Sequence, residues 1–191
     1  LEQAKLVAGT KYVALVVDMY GKGVRPKNQE EAGKAAGALR RDADLLRERI
    51  TAAHETLKGQ KGVDPSKTAA VGFCFGGTTV LELARLGTAI AGVVSIHGGL
   101  APLKPDVPAK DVRAKVLALH GAEDPGVPPK DVEAFEAELR AAKADWQLVK
   151  YSNSVHSFTD PEAKNPGRAE YNPLTAKRAY AAMNAFLDEL F

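Results

Sequence analysis

The run Gly72-Phe73-Cys74-Phe75-Gly76-Gly77 constrains the fold more than any other stretch of this chain. Residues 68–71, Thr-Ala-Ala-Val, read as a short buried strand before it, and residues 78–86 read as a helix after it. A nucleophile-type residue flanked at two positions either side by glycine, between strand and helix, is the G-x-S-x-G elbow pattern with Cys in place of Ser. The turn is tight. A side chain at Gly72 or Gly76 would strike the neighbouring strand or helix, and the strained backbone lifts the central side chain above the sheet.

A thiol suits that position. Cys74 would stand at a helix N-terminus, where exposed N–H groups and the macrodipole favour negative charge. That raises the fraction of thiolate, which is the nucleophilic form. The N–H of Phe75 would face an oxyanion on an attacked carbonyl. The plainer reading is a small buried Cys whose glycines only let a helix pack on a strand.

Residues downstream favour the chemical reading. Triads on this architecture run nucleophile, acid, His along the chain. Residues 115–120 read as a strand, and the following Gly-Ala-Glu-Asp-Pro loop puts Asp124 just past its end. Residues 146–151 read as another strand, and His156 lies on the loop beyond it. In a parallel sheet such loops gather at one edge, where ligands bind. Glu123 is the alternative acid. His97 and His120 end strands at the same edge, where a packed ring with a backbone partner is the ordinary state. His54 reads as a solvated residue on the polar side of a helix.

The motifs G-F-C-F-G-G, H-G-A-E-D-P and V-H-S-F, with the segment 12–21 carrying Asp18-Met19-Tyr20, resemble the dienelactone hydrolase family of α/β-hydrolases over the whole chain. The resemblance implies a cysteine hydrolase of ester or lactone bonds. Cys74 would be its nucleophile, His156 its base and Asp124 the residue that orients His156. It also nominates Tyr20, Lys22 and His97 as substrate-binding residues. Family members hold a substrate carboxylate with two arginines; here Lys22 and Asp160 stand in those places, so neutral esters are the expected substrates. Arg25 reads as a solvated loop arginine. Relative to the family, an N-terminal hairpin and a third strand are absent, so the chain is expected to be an incomplete single domain. A thioesterase or acyltransferase with the same triad, and a non-catalytic binding protein on the same fold, are the competing readings.

The rest of the sequence is consistent with an α/β fold built on a mostly parallel sheet flanked by helices. Strands are expected at residues 12–17, 68–73, 90–96, 115–120 and 146–151. Helices are expected at residues 1–9, 130–143 and 173–190, the last with Asn172 as N-cap and Pro173 at its first position. One long helix is expected over residues 30–58, with Ala35, Leu39, Leu46, Ile50 and Leu57 on its inward face. The proline-rich stretch 101–108 reads as an irregular flap.

With 26 basic and 24 acidic residues in 191, the chain lacks the charge of a nucleic-acid binder. No apolar run approaches the ~20 residues of a membrane span. A single Cys excludes an internal disulfide. No pair of His, Cys or carboxylates has metal-ligand spacing, so neither metal nor cofactor is expected. A reducing cytoplasm fits a free thiol, unless a signal peptide precedes this sequence. A monomer or homodimer acting on a small molecule is the expected state.

Overall fold

The computed structural model describes residues 2–107, 109 and 111–191. Leu1, expected in the first helix, and Pro108, expected in the flap, lie outside the described residues. The chain divides into two compact units, Leu1–Pro65 and Ser66–Phe191.

The first unit is helical. Helix α1 spans Glu2–Ala8, α2 spans Gln29–Arg41 and α3 spans Ala43–Lys58. The single helix expected over residues 30–58 is therefore two. The break falls at Asp42, whose carboxylate accepts a hydrogen bond from Leu45 N at 3.1 Å and so caps α3. An Asp in this position satisfies an orphan N–H of a new helix better than it continues the old one. The buried stripe runs through Ala36, Leu39, Ala43, Leu46, Ile50 and His54, whereas Ala35 and Leu57 are half-buried. His54 is thus not solvated. It extends the i, i+4 series of Leu46 and Ile50, and burial holds its imidazole below the ordinary value.

Residues 12–17 are not a strand. A strand exists through its ladder, and this segment pairs with none of the described strands. Val13, Leu15, Val16 and Val17 are all exposed. Residues 18–25 form a turn in which Asp18 accepts from Gly21 N at 3.1 Å and from the Arg25 guanidinium at 2.9 Å.

The second unit holds a four-stranded parallel sheet, β1 (Ala69–Phe73), β2 (Gly92–Ile96), β3 (Lys115–Gly121) and β4 (Trp146–Tyr151), in that spatial order. Helix α4 (Phe75–Arg85) follows β1, α5 (Pro129–Ala141) follows β3, and α6 (Pro173–Leu190) ends the chain. The central strands are buried on both faces, as a parallel sheet between helices requires. On β2, a Cβ at Gly92 would meet Leu190 and Phe186 of α6, while Ser95 lies against Gly77 of α4. Residues three apart point to opposite faces of a strand, so α4 and α6 cover opposite sides of the sheet.

Helix α6 starts as the sequence indicates. Asn172 accepts from Thr175 N at 3.1 Å, with Pro173 next. Such a cap contributes about 1 kcal/mol. A short antiparallel pair, β5 (Lys164–Asn165) with β6 (Ala169–Glu170), was not foreseen in the sequence. No helix among the described residues is long and apolar enough to cross a membrane.

Candidate active site

The parallel register aligns Phe73, Ile96, Leu119 and Val149 in one row. The residues that follow these positions therefore emerge at one edge of the sheet. Cys74 and His97 come directly after β1 and β2. Asp124 and His156 lie on the loops beyond β3 and β4.

Cys74 adopts φ 51° and ψ −117°, a backbone conformation that L residues rarely take. Two glycines make that turn possible. A Cβ at Gly72 would lie 2.0 Å from Gly76 O, and one at Gly77 would lie 2.7 Å from Ser95 Oγ and 2.9 Å from Gly98 Cα. At Gly76 a Cβ would meet nothing within 4 Å. The second constraining glycine is thus Gly77, one residue later than the motif spacing implies, because the helix is already turning inward there. Phe75 opens α4, where helix geometry directs N–H groups outward along the axis.

His156 Nδ1 lies 2.9 Å from Asp124 Oδ2, and the Asp124 carboxylate is all but fully buried. Asp124 Oδ1 accepts from Gly126 N at 2.8 Å. Glu123 instead accepts from Ser154 N at 2.8 Å, so it braces the neighbouring loop. The hairpin of β5 and β6 fixes the His156 backbone: His156 N donates to Arg168 O at 3.3 Å and Glu170 N donates to His156 O at 3.0 Å. Sequence periodicity carries no signal for so short a pair.

His97 is buried beside the thiol. Its Nδ1 is 3.4 Å from Cys74 Sγ, and it also accepts the Cys74 N–H at 3.3 Å. That contact makes Nδ1 an acceptor, which puts the ring proton on Nε2, facing Thr159 Oγ1 at 2.8 Å. The ring stacks edge-on against Phe158, with centroids 4.9 Å apart. His97 and Ser157 both have positive φ, 40° and 56°, and Ser157 Oγ lies 3.6 Å from Cys74 Sγ. Ser157 is the serine of V-H-S-F, a motif that points to His156 rather than to it, and Thr159 lies just outside that motif.

His120, expected to bond to backbone, is buried with Nδ1 unpartnered among the described residues. Burial keeps its imidazole below the ordinary value. Asp160 is half-buried and accepts from Glu162 N at 3.0 Å, closing its own turn. Tyr20 and Lys22 lie on the 18–25 turn of the first unit, half-buried and exposed respectively. Arg25 there is ion-paired to Asp18.

The electrostatics favour a charged pair. Burial alone would raise the Cys74 thiol, but His156, through its hydrogen bond and charge, and the neighbouring His97 ring outweigh it and bring it down to about 5. Burial would lower His156, but Asp124 and then the thiolate raise it to about 10. Burial opposes ionisation of Asp124 too, and the His156 hydrogen bond holds its carboxyl below the usual range. The directions of these shifts favour a thiolate at Cys74, an imidazolium at His156 and a carboxylate at Asp124. Cys74, His97 and His156 also bring three possible metal-ligand atoms within 4.8 Å of one another. They come from three separate strand ends, which is why spacing along the chain does not reveal them.

Residues 2–191 match the dienelactone hydrolase family. The solved structure of m3DLH is 41% identical and covers all of this chain and 80% of its own, with a TM-score of 0.89. A dienelactone hydrolase-like promiscuous phosphotriesterase from metagenomic libraries is 38% identical, with a TM-score of 0.84, over 91% of this chain and 73% of its own. An uncharacterized Caenorhabditis elegans protein is 35% identical over 150 residues, 76% of this chain and 94% of its length. A Salmonella typhimurium protein provisionally named a carboxymethylenebutenolidase is 31% identical over 131 residues, 65% of this chain but 47% of its own length. By the family match and the shared parallel sheet, this chain belongs to the dienelactone hydrolase family of α/β-hydrolases.

Proposed function

We propose that this protein hydrolyses carboxylic esters or lactones through a Cys74–His156–Asp124 triad. The observation that carries the reading is the convergence of the three side chains: His156 Nδ1 is 2.9 Å from Asp124 Oδ2 and a His156 ring nitrogen is within 4.8 Å of Cys74 Sγ, an arrangement that favours the thiolate. The Cys74 thiolate adds to the carbonyl carbon, and the electron pair of the C=O bond moves to oxygen. The Phe75 N–H is the donor for that oxyanion. Collapse expels the alkoxide, which takes the proton from His156, and leaves a thioester on Cys74. His156, now neutral, removes a proton from water as that water attacks the thioester. Cys74 leaves as thiolate and His156 is again imidazolium. Asp124 holds the imidazole in the tautomer this cycle needs.

Asp160, standing where the family carries an arginine, argues for neutral substrates, since an anionic lactone would meet a carboxylate instead of a guanidinium fork. Tyr20, Lys22 and His97 remain candidate substrate contacts. The similarity to the phosphotriesterase supports a second reading, attack of the same thiolate on a neutral phosphotriester. Steady-state kcat/KM for neutral aryl esters, dienelactone and a neutral phosphotriester orders these substrates. A preference for dienelactone over neutral esters would refute the charge argument, and inactivity on all three would refute the hydrolase.

A further inference from the structure

The proposed reaction needs one imidazole beside the thiolate, yet two are there. His97 has no part in the triad. Its burial, its left-handed backbone and its fixed tautomer nevertheless hold one nitrogen lone pair against Cys74 Sγ.

The spacing is that of a metal site. With Zn–S near 2.3 Å and Zn–N near 2.05 Å, tetrahedral geometry puts a sulfur and a nitrogen ligand about 3.5 Å apart and two nitrogens about 3.3 Å apart. The distance from Cys74 Sγ to His97 Nδ1 is already 3.4 Å. The His156 nitrogen is within 4.8 Å of both, and its side chain is 32% exposed.

Each imidazole is also held from behind in the manner of a metal ligand. His156 faces Asp124 Oδ2 through Nδ1 at 2.9 Å, and His97 faces Thr159 Oγ1 through Nε2 at 2.8 Å. Metal-ligating histidines use their other ring nitrogen in this way, which fixes the tautomer and aims the ligating lone pair. The Cys74 N–H that shares the His97 lone pair also donates to Ile96 O at 3.1 Å. It therefore keeps a partner when a cation takes that lone pair.

We propose that Cys74, His97 and His156 bind one thiophilic divalent cation, Zn2+ foremost, and that the bound cation silences the thiolate. The inhibitory half rests on the hydrolase reading; the binding half does not. A thiolate with two imidazoles selects Zn2+ over Mg2+ or Ca2+. Binding exchanges one proton, released to solvent from the thiol–imidazole pair, for the cation, and no electron moves. A fourth position stays open to water.

The test is a Co2+ titration of the metal-free chain, followed by displacement with Zn2+. The expected result is a sulfur-to-cobalt charge-transfer band with the visible bands of four-coordinate Co2+, displaced by one equivalent of Zn2+ and untouched by Mg2+. Cys74→Ser removes the charge-transfer band. His97→Ala weakens Zn2+ binding at least about tenfold. Thr159→Val, which keeps His97 but removes its rear partner, weakens it about 10–100-fold. It carries the test if His97→Ala does not fold. Absence of the band overturns the proposal, as does a band whose Zn2+ affinity neither variant moves. Ester turnover followed in the same titration should fall with band saturation and return on adding EDTA. Turnover that persists at saturation overturns the inhibitory half. A normal band in a chain that hydrolyses no ester even without metal leaves the binding site standing and refutes the hydrolase reading.

Discussion

Two adjacent glycines in the elbow separate packing from propensity. Gly77→Ala puts a methyl 2.9 Å from Gly98 Cα and 2.7 Å from Ser95 Oγ. The first contact is backbone against backbone, at the point where α4 crosses the end of β2, so no side chain can rotate away to relieve it. Overpacking of this kind costs about 1–3 kcal/mol, and the rigid contact places this site at the upper end. Alanine returns about 1 kcal/mol of helix propensity, which leaves a net loss of about 2 kcal/mol. For a chain of this size that corresponds to a fall in Tm of roughly 4–8 °C. Gly76→Ala gains the same propensity with nothing within 4 Å to oppose it, so its Tm should hold or rise by roughly 2–4 °C. Thermal unfolding followed by circular dichroism, at one scan rate for all three proteins, reads the difference. Gly77→Ala should also lower turnover, because Gly98 follows His97 directly and the strain passes into the thiol's surroundings. Equal stability of the two variants, or a larger loss at Gly76, would refute the reading of the helix crossing.

Asp124→Asn should lower kcat/KM by about 10²–10⁴-fold while the fold persists. Without that carboxylate His156 holds its proton less well and the thiol loses its cationic partner. The acid limb of the pH–rate profile should therefore move up from about 5 toward the ordinary thiol value, and the alkaline limb should move down from about 10. A profile that stays in place would mean that another group holds His156. Arg85 is buried between Glu82, at 3.1 Å, and Glu138, at 2.8 Å, and also donates to Leu100 O at 2.6 Å. Arg85→Ala leaves the fully buried Glu82 carboxylate, which keeps the Leu103 N–H at 3.0 Å, without the guanidinium that neutralises it, and should cost about 3–5 kcal/mol in urea unfolding; a loss under about 1 kcal/mol would contradict this. Asp160→Arg should raise the kcat/KM ratio of dienelactone to a neutral ester, and an unchanged ratio would remove Asp160 from the specificity argument.

The sequence made much of this site legible because its signals are local. Helix α6 announces itself by Asn172 and Pro173, and β4 by its run of alternating residues ending before a turn-rich loop. The order of Cys74, Asp124 and His156 follows from which strand each residue ends. Misreadings arose where a tertiary contact outweighed a local pattern. Asp42 reads as one polar residue in a helical run, but its carboxylate starts a new helix. His54 reads as polar, yet its position four residues after Ile50 puts it on the buried stripe. Gly76 satisfies the motif while Gly77 meets the neighbouring chain. Residues 12–17 have strand composition but no ladder. The Thr159–His97–Cys74 chain joins residues distant in sequence, and no spacing rule connects them.

The most direct test of the thiolate mechanism is intact-protein mass spectrometry during rapid mixing with a neutral aryl ester, in wild type and Cys74→Ala. The wild type should show a transient mass increase equal to the acyl group, mapped to Cys74, with a burst of the phenol. Cys74→Ala, folded by circular dichroism, should show neither adduct nor turnover. Full turnover in Cys74→Ala, or an adduct on any other residue, would contradict the account.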